Sequence, residues 1–395
     1  MTSTPRIYLD NAATSWPKPE SVYLAVEQFQ RQIGAPAGRS TYREAVEVER
    51  LVAAARRRVA ELIGVPDPRR IVFTANGTDS LNLALHGLLR TGDHVVTSVV
   101  EHNSILRPLR YLETQARITV DRVPCDAIGL VDPDAIRRAI RPNTRLIALI
   151  HASNVTGAIQ PIEAVGRIAR EHGVLFLVDA AQTLGQIEFD VAAVGAHLVA
   201  APGHKGLLGP LGTGILYIAP GLEGQLEPIR QGGTGTRSES DVQPDSLPDR
   251  YEAGNHNVLG IIGLAAGVAE LQRCGVAQIR RHHEALTTRL LTGLSSLPGV
   301  TLYGPRDARR QVGVVSINVT GYDPQEVAGA LDQAHRVQVR AGIHCAPRMH
   351  RSLGTESVGG TVRFSVGSFN TEAEIDTAIQ AVDSFVRATG AGAAN

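Results

Sequence analysis

A lysine and a histidine crowd into a glycine-rich stretch at Gly203-His204-Lys205-Gly206, and the most chemistry in the chain is concentrated there. Gly206, Gly209, Gly212 and Gly214 follow Lys205 before the apolar run Ile215-Leu216-Tyr217-Ile218. Glycine has no Cβ, so such a loop turns sharply and lets backbone approach a ligand. An isolated lysine is far more often a solvated surface residue; what argues otherwise lies upstream. There Val174-Leu175-Phe176-Leu177-Val178 reads as a buried strand and ends on Asp179-Ala180-Ala181-Gln182. An acid at the carboxyl end of a parallel strand sits where open α/β sheets place their ligands. Such an acid, followed by a lysine in a glycine-rich loop, suits pyridoxal phosphate: the lysine forms a Schiff base and the acid keeps the pyridine nitrogen protonated.

A second reactive group stands far downstream, in Arg340-Ala341-Gly342-Ile343-His344-Cys345-Ala346-Pro347. The adjacent histidine and nearby arginine would favour a thiolate, and the glycine- and proline-bounded loop points to exposure. Set across a cleft from Lys205, Cys345 would attack a substrate atom that the cofactor holds. The other cysteines, Cys125 and Cys274, lack such neighbours, and Cys274-Gly275 reads as a helix end. Three scattered cysteines fit neither a disulfide framework nor a zinc pattern. Nearer the N-terminus, the strand-like 71–74 runs through Ala75-Asn76-Gly77-Thr78-Asp79 into a helical pattern. A strand, a glycine turn and a helix N-terminus make an anion site. An ordinary turn with Thr78 or Asp79 as N-cap fits the same residues equally well.

The elements that must position these groups alternate. Strands are expected over 95–100, 118–123, 145–150 and 174–178, with helices near 104–116, 132–140 and 161–172. That spacing argues for a mostly parallel sheet covered on both faces. Polar clusters follow the strands at Glu101-His102-Asn103-Ser104, His151-Ala152-Ser153-Asn154 and Asp179-Ala180-Ala181-Gln182, so one pocket would collect them. No GxGxxG or GxxxxGK[ST] fingerprint follows any of these strands, which weakens a dehydrogenase or NTPase reading. A helix is expected over 44–63, preceded by a mobile loop at 34–40. The polar stretch 219–258 has few apolar anchors and is expected to pack on a second subunit. Helices follow near 258–273 and 277–297. Beyond them a smaller α/β unit carries strands at 312–319, 337–340 and 361–366, helices at 324–334 and 371–387, and a fraying tail from 388. With 395 residues, 43% of them hydrophobic, two domains are expected. A balanced charge of +0 gives no reason to expect a nucleic-acid or membrane-surface partner. No run approaches the roughly 20 apolar residues of a membrane span, so a cytoplasmic protein is expected.

These motifs resemble the cysteine desulfurases, the class V branch of fold type I pyridoxal phosphate enzymes, over nearly the whole chain. The resemblance is carried by Tyr8-Leu9-Asp10-Asn11-Ala12-Ala13-Thr14, Glu101-His102, Ser153-Asn154-Val155-Thr156-Gly157, Asp179-Ala180-Ala181-Gln182, Gly203-His204-Lys205 and the compact cysteine loop, which is similar to that of the Suf-type, group II enzymes. It implies an α/β fold: a large cofactor domain at 15–262 with a mostly parallel seven-stranded sheet, and a small domain at 1–14 and 263–395 carrying the cysteine loop. It makes Lys205 the Schiff-base lysine and catalytic base, Asp179 the partner of the pyridine nitrogen, Gln182 that of the ring oxygen, and His102 the residue stacked on the ring, able to relay protons. Gly77, Thr78 and His204 would hold the phosphate. Asn154 and Arg363, with Ala13 and Arg340, would receive the substrate. Cys345 would carry sulfur as a persulfide. Two departures bear on phosphate affinity: Pro202 stands where the family has a hydroxyl residue, and Asn255 replaces a threonine that reaches the partner subunit's phosphate in a homodimer.

The implied activity converts L-cysteine to L-alanine and passes the sulfur to an acceptor protein, with L-selenocysteine as a second substrate. Iron–sulfur assembly, thiolated tRNA and sulfur-containing cofactors all draw on such persulfides. No metal is expected. Two alternatives stay open: another lyase or aminotransferase of the same class, which has no need of Cys345, and a sulfur-relay partner with weak chemistry of its own.

Overall fold

A computed structural model of the protein describes residues 6–38 and 41–391. In chain order, strand β1 (Ile7–Tyr8) leads to helices α1 (Glu20–Gln32) and α2 (Arg43–Leu62). Strands and helices then alternate: β2 (Ile71–Thr74), α3 (Gly77–Leu88), β3 (Asp93–Ser98), α4 (Asn103–Thr114), β4 (Ile118–Val123), α5 (Pro133–Ala139), β5 (Thr144–Ile150), α6 (Ile162–Glu171), β6 (Leu175–Asp179), α7 (Val191–Val194), β7 (Leu198–Pro202) and β8 (Gly214–Ile218). Two long helices, α8 (Val258–Cys274) and α9 (Val276–Ser295), join this half to β9 (Val300–Tyr303), β10 (Val314–Val319), α10 (Pro324–His335), β11 (Val337–Gln338), β12 (Arg340–Gly342), α11 (Pro347–Leu353), β13 (Thr361–Ser365) and α12 (Glu372–Thr389).

The main sheet has seven strands in the order β2-β8-β7-β6-β5-β3-β4. β8 runs antiparallel to both its neighbours and the remaining pairs are parallel. Its central strands read as unbroken apolar runs because helices cover both faces: Leu146–Ile150 and Phe176–Val178 are at most 1% exposed. This is the mostly parallel α/β sheet that the alternation implies, in the fold type I form that the resemblance implies. Two large hydrophobic cores result. One surrounds the seven-stranded sheet, and the other lies between α9, α10, α12 and an antiparallel sheet in the order β12-β13-β10-β9.

Several elements differ from the sequence reading. The expected strand 337–340 is two strands: β11 pairs in parallel with β1, whereas β12 joins β13. Other elements carry signals too weak to read, among them α1, which buries only Val22 and Phe29, β7, which is alanine-rich, and β9, which is four residues long. The helix after β2 is capped by neither Thr78 nor Asp79 but by Asn76, whose side chain accepts from the Asp79 N–H. Helix α12 continues to Thr389 and ends on left-handed Gly390, so order persists past the expected start of the tail. Arg39 and Ser40 of the expected mobile loop, and the tail residues 392–395, lie outside the described residues.

Candidate active site

The carboxyl ends of the main-sheet strands converge on one cavity. It is lined by Asn76, Gly77, Thr78, Leu81, His102, Ser104, Ile150, Asn154, Asp179, Ala181, Gln182, Pro202, His204 and Lys205. The loop after β7 carries Lys205 and is closed by hydrogen bonds from Gly203 N to the Thr213 carbonyl and from Gly209 N to the Gly203 carbonyl, both 2.8 Å. Only glycine fits at 203, because a Cβ there would meet Thr213 Oγ1 at 2.2 Å. From the outside, the N-terminal segment clamps this loop. The His204 carbonyl accepts from Ser15 N at 3.1 Å, Thr14 Oγ1 at 3.1 Å and Lys18 Nζ at 2.8 Å. Burial of Lys18 pulls its ammonium down to about 8.

Asp179 ends β6 at 2% exposure and accepts from Ala181 N at 3.0 Å. Burial pushes its carboxyl up to about 6, with Lys205 pulling the other way. Burial draws Lys205 down to about 8; Asp179 opposes that shift, while Arg363 and Arg340 add to it. These shifts run against those of an ion pair, so desolvation of both groups outweighs their attraction. Gln182 spends one amide hydrogen on the Ala12 carbonyl at 3.1 Å, which fastens the segment holding Ala13 to the cavity wall.

His102 is the N-cap of α4. Its Nδ1 accepts from Ser104 N at 3.1 Å and lies 2.8 Å from Ser104 Oγ, which is 2.7 Å from Thr78 Oγ1. Burial, then Lys205 and Arg340, pull the imidazole down to about 4. A neutral ring that accepts a backbone N–H at Nδ1 carries its proton on Nε2. His102 therefore offers a donor. Behind it Glu101 is fully buried, accepting from Ser98 Oγ at 2.5 Å and Ile150 N at 2.9 Å, and burial lifts its carboxyl to about 8. Sequence reasoning put Ser104 in a pocket cluster without giving it a role, and passed over Lys18. Ser104's place two residues after His102, at a helix start, was the available signal; Lys18 gives none.

The residues fit a phosphate-bearing pyridine cofactor. Gly77 and Thr78 open the first turn of α3, where free N–H groups favour an anion. A Cβ at Gly77 would sit 3.0 Å from Pro202 Cδ, so the departure at Pro202 narrows this end of the cavity as well as removing a hydroxyl. Asp79, in the same turn, is ion-paired to Arg230 at 2.8 Å, which offsets a charge that would oppose phosphate. His204 Nδ1 and Asn154 Oδ1 are buried polar atoms without partners. The buried acid lies at another wall of the same cavity.

Arg363 is 1% exposed, donating to Asp10 Oδ1 at 2.7 Å and to the Asn154 carbonyl at 3.1 Å, while its Nε is buried without a partner. Arg340 is partly buried on β12 and acts electrostatically on Lys205 and His102. Cys345 is exposed and stands outside the lining of the cavity, yet its loop is tied to it. Asn154 Nδ2 donates to the His344 carbonyl at 2.6 Å, and Asn103 N donates to the Cys345 carbonyl at 2.8 Å. The expected help from His344 is absent. Its ring is buried, bonded through Nε2 to Thr361, and pulled down to about 2 by burial and then by Arg363. It positions the loop and offers no charge to the thiol. Asn255 lies away from this cavity, exposed beside Gly254 and His256.

Residues 7–377 match the family model described as class V aminotransferase. The chain is 39% identical over 374 residues to a probable cysteine desulfurase of Methanothermobacter thermautotrophicus, covering 93% of this chain and 92% of the relative. It is 35% identical to a probable cysteine desulfurase of Pyrococcus abyssi, covering 96% and 94%. Among solved structures, the apo cysteine desulfurase of Thermococcus onnurineus superposes with a TM-score of 0.90 at 36% identity, covering 97% and 95%. The Escherichia coli cysteine desulfurase CsdA superposes with a TM-score of 0.86 at 30% identity, covering 97% and 95%.

Proposed function

Since the chain belongs to the class V aminotransferase family, whose members depend on pyridoxal phosphate, we propose that it is a cysteine desulfurase that takes the sulfur of L-cysteine onto Cys345 and leaves L-alanine. The carrying observation is the pair of hydrogen bonds that tie the cysteine loop to Asn103 and Asn154 at the edge of the Lys205 cavity.

When bound, the cofactor supplies an electron sink for a carbanion at the substrate Cα. Asp179 would hold the ring nitrogen protonated, and Gly77, Thr78 and His204 would hold the phosphate. Lys205, drawn down to about 8, is a base that can remove the Cα proton near neutral pH. The guanidiniums of Arg363 and Arg340 would receive the substrate carboxylate, and the amide of Asn154 would orient it. The Cys345 thiolate attacks the substrate sulfur, forming an S–S bond as the C–S bond breaks. The electron pair of the broken C–S bond stays with the carbon fragment, whose Cβ takes a proton from solvent, and the proton held by Lys205 returns to Cα to give alanine. The same site accepts L-selenocysteine, whose weaker C–Se bond makes less demand on the thiol. The active unit is a homodimer whose exposed Asn255 face meets the neighbour.

Cys345→Ala tests the assignment. It is expected to keep the cofactor spectrum and bind L-cysteine, and to release almost no alanine from it, while retaining turnover on L-selenocysteine and cysteine sulfinate. Equal loss on all three would make Cys345 a structural residue. Full activity on L-cysteine would leave a simple lyase.

A further inference from the structure

Beside the exposed Cys345 the surface is built from arginine. Asn103, whose N–H holds the Cys345 carbonyl, starts α4; Arg107 follows it by four residues, and Arg110 and Tyr111 follow Arg107 by three and four. Residues so spaced share a helix face, so this stripe leads away from the cysteine loop. Tyr111 is 57% exposed on it. From the other side α11 begins two residues after Cys345 and contributes Arg348 and Arg351. Burial and the nearby charges of Arg122, Arg351 and Arg110 act together on Arg348, which places the two sides of the rim within electrostatic reach.

The acids present do not neutralise it. Glu113 is bonded to Arg122 and 4.0 Å from Arg110, and Glu356 is bonded to Arg351 at 2.8 Å. Among the described residues, neither Arg107 nor Arg348 forms an ion pair with a carboxylate, and Glu113, the one acid acting on Arg348 from a distance, is outnumbered there by Arg122, Arg351 and Arg110. An exposed thiol beside an arginine-rich surface with a protruding tyrosine has the composition of an interface hot spot.

We propose that this rim docks an acidic protein surface that presents a cysteine thiol to Cys345. The proposal rests on the desulfurase reading. The acceptor thiolate would attack the terminal sulfur of the Cys345 persulfide; the old S–S bond breaks, Cys345 leaves as thiolate, and the acceptor becomes the persulfide, with no outside oxidant or reductant. The arginines would steer the acidic partner in and favour its thiolate.

Two measurements on the holoenzyme test this. The first compares alkylation of Cys345 by anionic iodoacetate and neutral iodoacetamide, followed on the Cys345 peptide. Relative to free cysteine, the anion should be favoured about threefold or more at low salt, and the preference should vanish near 0.5 M salt, where exposed charges are screened. The second offers the persulfide to a synthetic peptide with a cysteine flanked by glutamates and to its lysine-flanked counterpart. The acidic peptide should accept sulfur about tenfold faster at low salt. In Arg110→Glu/Arg348→Glu that order should reverse, while alanine release with dithiothreitol stays at the wild-type rate. Arg110→Gln/Arg348→Gln should abolish the preference without a charge reversal that could disturb folding. Normal alanine release with equal rates to both peptides would overturn the proposal alone. Failure to release alanine or sulfur from L-cysteine, with the alkylation preference intact, would overturn the desulfurase reading and this proposal with it.

Discussion

Lys205 and Cys345 are held by supports of opposite character. The lysine loop is bolted to the largest core: it follows a fully buried strand, closes on itself through Gly203, and has its His204 carbonyl clamped by the N-terminal segment. The cysteine loop lies at the surface, with His344 and Cys345 both in the left-handed region at φ 49° and 59°. Each such residue costs on the order of 1 kcal/mol. That cost is offset by the His344 ring bonded to Thr361 and by two carbonyls held from the large-sheet side. One group must not move relative to the cofactor. In the proposed reaction the other would have to reach the substrate and then meet a partner from solvent, and it sits on a loop held mainly through its backbone.

The comparison is broken most severely from the lysine side. Lys205→Ala should abolish borohydride-trappable cofactor and lower alanine formation by about 10³-fold or more, as expected for loss of a general base. The same lysine sets a pH dependence. Only the neutral amine attacks the cofactor aldehyde, so the rate of covalent fixation in stripped protein should climb about tenfold per pH unit and flatten above about 8, the value to which burial lowers Lys205. A flat profile between pH 6 and 9 would mean that another group limits the step.

Asp179→Asn comes next. The amide fills the same space and can still take the Ala181 N–H, but it cannot carry the charge that holds a ring nitrogen protonated. Alanine formation should fall about 10²-fold, within the range measured for losing one partner of a buried, hydrogen-bonded charge pair. Covalent cofactor should remain, which separates this variant from Lys205→Ala. Loss of the cofactor itself would make Asp179 a packing residue.

The two supports also differ in how far they could be read from sequence. Val174-Leu175-Phe176-Leu177-Val178 ending on Asp179 announces a buried strand with a functional end, and the structure places β6 there within one residue. The cofactor cavity follows from the same periodicity, because strand ends collect in one place. The cysteine loop obeys no period. Its neighbours in sequence suggested that His344 assists the thiol, whereas folding turns that ring inward to Thr361 and brings in Asn103 and Asn154, each about 190 or more residues away in the chain. Long-range backbone carbonyl contacts leave no trace in residue type. The engagement of Arg363 by Asp10, 353 positions apart, is illegible for the same reason.

The smallest expected effect isolates one of those contacts. Asn103 occupies the first helical position of α4, where an N–H has no partner within the helix and proline is well tolerated. His102 before it has φ −71° and ψ 155°, the extended conformation that a following proline demands. Asn103→Pro should therefore leave α4, the His102 cap and the cofactor cavity in place while deleting the hydrogen bond to the Cys345 carbonyl. One such bond is worth about 1 kcal/mol, so alanine formation from L-cysteine should fall about fivefold. Cofactor spectrum and turnover on cysteine sulfinate, which make less demand on the thiol, should stay at wild-type levels, and Cys345 should alkylate faster as its loop loosens. Parallel losses on both substrates would show that the contact supports the cavity as a whole, and the mechanical separation of the lysine and cysteine sides would fail.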